Sequence, residues 1–327
     1  MTIQTVVEAV RDAMREEMLR DSHVLIMGED IGSRGGVFLA TEGLLQEFGD
    51  ERVIDTPLAE SSIAGIALGA AMSGMRPIAE IEFADFIWPT INQVVGEAAR
   101  VRYGTNGKLH APMVLRAPQG GGVRGGLYHS QSVESIFVHT PGLKVVVPAT
   151  PFDAKGLLKT AIRDDDPVIF LEHKRTYRLV RGEVPDQEFT IPIGKGDIKR
   201  QGTDITVVTY GLMVHHCIEA ATALEADGIS VEIIDLRSLR PLDDELILDS
   251  VRKTGKILIV HEDNKILGVG AEIAAMVSEK AFEYLDGPII RLAGPEVPAM
   301  PFSPPLEAMY MLNSEKILNS IKQLMTY

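Results

Sequence analysis

The sequence predicts an α/β protein of two doubly wound domains, the first a mostly parallel sheet and the second smaller. Three observations lead there: the length, an alternation of apolar strand-like runs with helical patterns, and one interruption of that alternation past the middle. At 327 residues the chain exceeds what a single hydrophobic core ordinarily spans, so two domains are expected. Strand-like runs separated by helical segments imply parallel strands covered by helices.

The N-terminus opens on an amphipathic helix, with Val6, Val10, Met14 and Met18 recurring every four residues. Its acidic residues are wrong for a transit peptide. If no presequence has been removed, a bacterial or archaeal cytoplasm is expected. Strand-like runs follow at His23 to Met27, Arg52 to Thr56, Pro77 to Phe83, Pro112 to Arg116, Leu143 to Val147 and Pro167 to Glu172. Helices are expected at Ser61 to Ser73, Pro89 to Tyr103 and Pro151 to Arg163; the first carries Ala, Gly and Ile on every side and is expected to be buried.

Near residues 182 to 204 the pattern loosens into Gly, Pro, Asp and Gln. The expected division is therefore a domain over residues 1–185, a linker over 186–204 and a domain over 205–327. In the second domain, strands at Ile205 to Tyr210, Val231 to Asp235, Lys256 to His261 and Pro288 to Leu292 enclose helices near Val214 to Ala226, Asp243 to Lys253 and Gly270 to Tyr284. There are no repeats, heptads or low-complexity tracts.

Composition narrows the function classes. Acidic residues outnumber basic ones 46 to 32, and a formal charge of -14 repels phosphate backbones, which argues against nucleic acid as partner. No segment reaches the roughly 18 uninterrupted apolar residues of a membrane helix. The one cysteine, Cys217, excludes an intrachain disulfide and a cysteine-based metal cluster, and reads as a small buried hydrophobe.

Ligands of open parallel sheets bind beyond the carboxyl ends of the strands. Four segments stand there: Gly28-Glu29-Asp30, Asp55 to Glu60, Glu82 to Phe86, and the run from Arg116 through the glycines to His129-Ser130-Gln131-Ser132. Glu60 precedes the all-apolar helix. Its carboxyl is either desolvated, and so able to keep a proton near neutrality, or a helix N-terminal carboxylate stabilised by the dipole by about 0.3–1 kcal/mol. Glycines 120, 121, 122, 125 and 126 could cradle a phosphate or form a flexible loop delivering His129 to a cleft. The imidazole of His129 suits proton transfer, with a structural histidine as the plain alternative. Gly268-Val269-Gly270 lacks the third glycine of a dinucleotide fingerprint and reads as structural, and His215 and His216 read as surface or packing residues.

Together the Gly28-Glu29-Asp30 turn, Asp55-Thr56-Pro57-Leu58-Ala59-Glu60, Arg76-Pro77 and the stretch from Leu143 to Leu158 resemble the beta subunits of thiamine-diphosphate-dependent 2-oxo acid dehydrogenases, essentially end to end. The resemblance implies a pyrimidine-binding transketolase-like first domain and a transketolase C-terminal-like second one. It implies thiamine diphosphate shared with an alpha subunit in a two-alpha, two-beta heterotetramer. The family's diphosphate-and-magnesium motif, Gly-Asp-Gly with a distant Asn, does not occur in this chain, so diphosphate and Mg2+ are expected on the alpha subunit. By position, Glu60 matches the glutamate that bonds the pyrimidine ring nitrogen, Phe86 the aromatic lining that ring, Leu58 a backbone contact and His129 the family histidine near the reacting atoms. Glu29 and Glu82 fall at cofactor-binding positions, and Glu82 stands where relatives often have glutamine.

The implied reaction is oxidative decarboxylation of a 2-oxo acid with transfer of the acyl group to lipoyl on an acyltransferase core. Tyr128 to Ser132 and Pro298 to Pro301 look branched-chain-like, with pyruvate or acetoin as the alternative substrates. Some relatives bind potassium through backbone carbonyls; the matching residues are Met113, Val114, Ala161, Asp164 and Asp166. A self-sufficient transketolase-like enzyme would need its own diphosphate-binding domain. A non-catalytic docking subunit would have no use for Glu60 and His129 at strand ends.

Overall fold

The computed structural model describes the chain from Met1 to Tyr327, and its contacts divide it into two compact units. The first comprises residues 1–119 and 136–193, the second residues 120–135 and 194–327. The segment bearing His129 thus belongs to the second unit, although the chain on both sides of it builds the first.

In the first unit, β1 (Thr2–Thr5) leads into α1 (Val6–Arg20). The helix start is fixed reciprocally: the Glu8 amide donates to the Thr5 hydroxyl at 3.3 Å, and the Thr5 amide donates to the Glu8 carboxylate at 2.7 Å. There follow β2 (Val24–Gly28), α2 (Leu44–Phe48), β3 (Val53–Asp55), α3 (Glu60–Met72), β4 (Arg76–Glu80), α4 (Val101–Gly104) and β5 (Val114–Gln119). After α5 (Glu134–Val138) come β6 (Lys144–Val146), α6 (Pro151–Arg163), β7 (Val168–His173), α7 (Thr176–Leu179) and β8 (Arg181–Val184).

Strands β6, β7, β5, β4, β2 and β3 lie side by side in that order, each pair parallel. Strands β2, β5 and β7 are buried at every residue, which is why β2 and the first four residues of β7 read as continuous apolar runs rather than alternating ones. One core gathers Val10 and Met14 of α1, Leu157 and Ile162 of α6, and Ile26 and Phe170 of the sheet.

Two helical expectations need correction. Residues 89–103 are not one helix: a 3-10 turn at Trp88–Thr90 is followed by a π-helical stretch at Asn92–Glu97, a second 3-10 turn at Ala98–Arg100 and then α4. Buried Val94, Ala98 and Ala99 need the wider π turn to face inward together. Gly142, at φ +97°, fits against the carbonyl of Ala99 with no room for a Cβ. Helix α3 is apolar all round but not buried all round. Ile66 is 59% and Met72 40% exposed, because only the Ile63, Ala64, Ala67, Leu68 and Ala71 face meets the sheet.

In the second unit the elements are β9 (Asp197–Arg200), β10 (Ile205–Thr209), α8 (Met213–Leu224), β11 (Val231–Asp235), β12 (Ser238–Arg240), α9 (Asp244–Thr254), β13 (Ile257–Asn264), α10 (Val269–Lys280), β14 (Ile290–Gly294), α11 (Pro304–Tyr310) and α12 (Ser314–Leu324). The sheet order is β14-β13-β10-β11-β9, parallel except for β9, which runs antiparallel to β11. Strand β9 lies within residues 186–204. Cys217 is fully buried on α8, and burial pushes its thiol up to about 12, leaving an inert apolar group. Helix α12, capped by the Asn313 side chain, closes this core with Ile317, Ile321 and Leu324.

Candidate active site

The register of the first sheet levels three strand ends. Gly28 pairs with Asp55 on one side and Glu80 on the other, so the loops after β2, β3 and β4 leave the sheet at one height. Lacing then draws them together. The Thr56 amide donates to the Gly28 carbonyl at 2.9 Å, and the Asp55 carboxylate accepts the amides of Gly32 at 2.6 Å and Ser33 at 3.4 Å. A Cβ on Gly28 would fall 2.7 Å from the Glu80 carbonyl oxygen, and one on Gly32 2.8 Å from the Asp55 carboxyl carbon, so neither approach tolerates a side chain.

Glu29, Glu60 and Glu82 emerge together at this edge. Partial burial and the neighbouring charges of Asp30 and Glu60 raise the Glu29 carboxyl above its ordinary range. Glu82 is pushed up to about 7 by burial first and then by the charges of Glu29, Asp30 and Glu80. Glu60, the first residue of α3, is only partly buried, so the desolvation expected of it is not supplied by its own unit. Leu58 is 70% exposed, which leaves its backbone open to a ligand. Beside the carboxyls lies an aromatic wall. The Phe83 ring stands edge-on to Phe86 at 5.8 Å and to Phe38 at 5.5 Å, and the Lys174 ammonium lies 5.6 Å from the Phe83 centroid.

Under this edge is a charge network that the sequence reading missed. The fully buried Arg116 donates from Nη1 to Glu80 at 2.6 Å and from Nε to Glu172 at 2.7 Å, and the Tyr177 hydroxyl donates to Glu172 at 3.3 Å. Burial raises the Glu172 carboxyl and the Tyr177 phenol, while the two carboxylates outweigh burial at Arg116 and keep it firmly charged. Gly36, at φ +78°, sits where a Cβ would be 3.3 Å from Glu80, so the loop over the site rests on this network. An arginine inside the apolar run Val114 to Ala117 was the signal: a charge in a buried strand needs a partner.

The potassium candidates lie at the far end of α6. The Met113 carbonyl accepts from the Val168 amide at 3.0 Å, and the Ala161 carbonyl from the Asp164 amide at 3.3 Å. Val114 is a sheet residue. Arg76 Nη1 donates to the carbonyls of Ile162 at 3.1 Å and Asp164 at 2.9 Å. Lys144 binds the Asp164 carboxylate at 2.6 Å, and Arg102 pairs with Asp166.

His129 belongs to the second unit. It is partly buried, and Gly125 folds back on it so closely that a Cβ there would be 2.6 Å from the His129 carbonyl oxygen. Three of the loop's amides are taken by carboxylates: Gly121 donates to Glu262 at 2.6 Å, while Gly122 and Arg124 donate to Glu307 at 3.1 and 3.0 Å. These carboxylates exclude a phosphate from that cradle. Ser130, Gln131 and Ser132 line a small cavity of about 50 Å³ together with Pro298, Ala299 and Met300, so the two motifs singled out for substrate class meet in one place. Beneath it, Glu134 accepts the Tyr210 hydroxyl at 2.8 Å, and burial beside Asp263 pushes it up to about 8.

Gly268 and Gly270 are packing glycines: a Cβ on either would strike the His261 ring. Burial lowers that imidazole to about 4, and its neutral Nε2 accepts the Gly270 amide at 3.3 Å.

Comparison with known proteins fits this architecture. Residues 3–180 match the transketolase pyrimidine binding domain, and residues 194–317 the transketolase C-terminal domain. The 2-oxoisovalerate dehydrogenase subunit beta of Bacillus subtilis (strain 168) is 56% identical over 99% of both chains. The pyruvate dehydrogenase E1 component subunit beta of the same organism is 46% identical over the whole of both. A solved split-gene transketolase, described as an inactive beta4 tetramer, shares the fold at TM-score 0.80, with 24% identity and 98% of each chain covered. A first unit of transketolase pyrimidine-binding type, a second of transketolase C-terminal type and this end-to-end identity converge: the chain belongs to the family of transketolase-like beta subunits of thiamine-diphosphate-dependent 2-oxo acid dehydrogenases.

Proposed function

We propose that this chain is the beta half of a branched-chain 2-oxo acid dehydrogenase, active with an alpha subunit in a two-alpha, two-beta heterotetramer and passing its acyl product to lipoyl on an acyltransferase core. The observation that carries the reading is the level ending of β2, β3 and β4, which sets Glu29, Glu60 and Glu82 beside the aromatic wall of Phe83 and Phe86. Carboxyls next to a ring face suit an aminopyrimidine, which offers N–H donors and a basic ring nitrogen. They repel a diphosphate, and the glycine loop's amides are already bonded to Glu262 and Glu307. That supports diphosphate and Mg2+ lying on the alpha subunit.

When bound, thiamine diphosphate supplies an electron sink for decarboxylation of the 2-oxo acid. Glu60 holds a proton at the pyrimidine ring nitrogen, Phe86 lines the ring, and Leu58 contributes a backbone contact. Glu82, pushed up to about 7, is half protonated near neutrality and can donate where a glutamine amide otherwise would. His129 holds or moves a proton at the reacting end. The branched-chain preference rests on the higher identity to the 2-oxoisovalerate enzyme's subunit and on the two motifs that share one cavity.

In the same reading the carbonyls of Met113, Val114, Ala161, Asp164 and Asp166 take a potassium ion, those of Met113, Ala161 and Asp164 through a second lone pair beyond the hydrogen bond each accepts. The seat is a bacterial or archaeal cytoplasm; no helix is long and apolar enough to cross a membrane.

The test is parallel decarboxylation of 3-methyl-2-oxobutanoate and pyruvate by the chain co-expressed with its alpha subunit, with thiamine diphosphate and Mg2+, against each subunit alone. Activity in the mixture alone with the branched substrate preferred is expected. Preference for pyruvate or acetoin would move the substrate assignment, and inactivity with all of them would overturn the reading.

A further inference from the structure

The loop that bears His129 is built from residues that resist order. Gly120, Gly122 and Gly126 have positive φ, as does the non-glycine Arg124 at +60°, and each glycine costs more backbone entropy to fix than other residues do. Within the second unit it is nevertheless pinned at several points. The Gly120 amide donates to the Gln131 carbonyl at 2.9 Å and closes the loop's base. A Cβ on Gly121 would be 2.9 Å from the Met311 sulfur, and one on Gly126 would be 3.0 Å from the Phe302 ring. The remaining anchors are carboxyl groups. Glu262, at the end of β13, accepts the Gly121 amide at 2.6 Å, and a single oxygen of Glu307, on α11, accepts both Gly122 and Arg124.

Glu307 is 6% exposed and Glu262 8%. A buried carboxylate is costly unless its oxygens are bonded, and backbone amides bonded to an ionised acceptor are held more tightly than those bonded to a neutral one. These two carboxylates therefore set the path of the chain immediately before His129.

We propose that Glu307 and Glu262 are positioning residues for His129: by accepting the amides of Gly121, Gly122 and Arg124 they hold the imidazole at the place where it handles a proton. The proposal rests on the role given to His129 above. Neither carboxylate touches the reacting atoms, and both act through the loop. A displacement of about 1 Å can cost on the order of 100-fold in rate, so loss of an anchor should be read in turnover rather than in assembly.

The experiment uses the assembled heterotetramer and the variants E307A, E307Q, H129A and E307A/H129A. Turnover in E307A is expected to fall by roughly 10- to 100-fold. E307Q should stay within about threefold of the parent, because one amide oxygen can still accept both N–H groups. The double variant should be no slower than H129A, since misplacing a group already removed has no further effect. Hydrogen exchange read on peptides covering residues 120–131 should speed in E307A and in E307A/H129A but not in E307Q or H129A, with the remaining peptides unchanged. Exchange that is unchanged in E307A would overturn the anchoring. Equal, independent losses from E307A with and without His129 would reduce Glu307 to a structural role and overturn the positioning. If exchange speeds but H129A keeps full turnover, the anchor exists while the role of His129 fails, and the positioning proposal fails with it.

Discussion

Arg116→Met tests the foundation of the candidate site. The substitution keeps an unbranched, apolar stem but removes the cation between Glu80, 4% exposed, and Glu172, fully buried. Two carboxylates that share Arg116 as their cationic partner are then left in a low-dielectric interior. Breaking a buried pair from one side costs about 3–5 kcal/mol, because the remaining charge is uncompensated. For a unit of this size that corresponds to roughly 10 °C in melting temperature. The triple variant R116M/E80Q/E172Q removes every charge while keeping the shapes of the two glutamates, and it should recover most of the loss. The assay is thermal unfolding at pH 7, followed through the first unit. A single variant within about 1 kcal/mol of the parent, or a triple variant no better than the single, would refute the view that charge compensation, and not simple packing, holds this edge.

Other outcomes follow from the carboxyls. Glu60→Gln should leave the heterotetramer assembled but slow exchange of the cofactor's C2 proton, tenfold for each roughly 1.4 kcal/mol of transition-state stabilisation removed; unchanged exchange would reject the role. Glu82, raised to about 7, is neutral below that pH and adds a negative charge beside Glu29 above it, so apparent cofactor affinity should weaken from pH 6 to 8 in the parent and lose that inflection in E82Q. Glu134 is raised to about 8, so its contribution to stability is complete below its ordinary pKa of 4.5 and is lost as pH rises through 8. Melting curves should therefore show the parent falling relative to E134Q between about pH 5 and 8 and then holding level; a difference independent of pH would contradict a buried protonated carboxyl. Potassium should raise the melting temperature more than equimolar sodium, and an equal effect of the two salts would remove the ion from the reading.

How far the sequence reveals this molecule depends on which interactions leave a trace in residue type. Strands such as Val168–His173 are legible because both faces are buried and the run from Val168 to Leu171 is apolar without a break. Strand β9 is not, since Asp197–Arg200 is a half-buried edge of mixed character inside a polar stretch. Helix α12 went unread, although Asn313 followed by Ile317, Ile321 and Leu324 gives a cap and a helical stripe. For α3, hydropathy misled about burial: an apolar side chain such as Ile66 reports a preference, not a neighbour.

At the site, Glu29, Glu60 and Glu82 were visible as chemistry placed after strands, but the register of Gly28 that makes them level was not. The grips of Asp55, Glu262 and Glu307 on backbone amides were equally hidden, because an amide looks the same at every residue.

The sixteen residues 120–135 have a consequence for any attempt to take the protein apart. The backbone passes from one unit to the other three times, at 119/120, 135/136 and 193/194, where two beads on a string would need a single passage. A gene cut in the 186–204 stretch would leave one product carrying a loop whose anchors are on the other, and the other with Glu262 and Glu307 facing no amides. Recombination that swaps the second unit between relatives must therefore carry a matching piece from the later part of the first half of the gene. The unit of inheritance for this histidine is discontinuous in sequence.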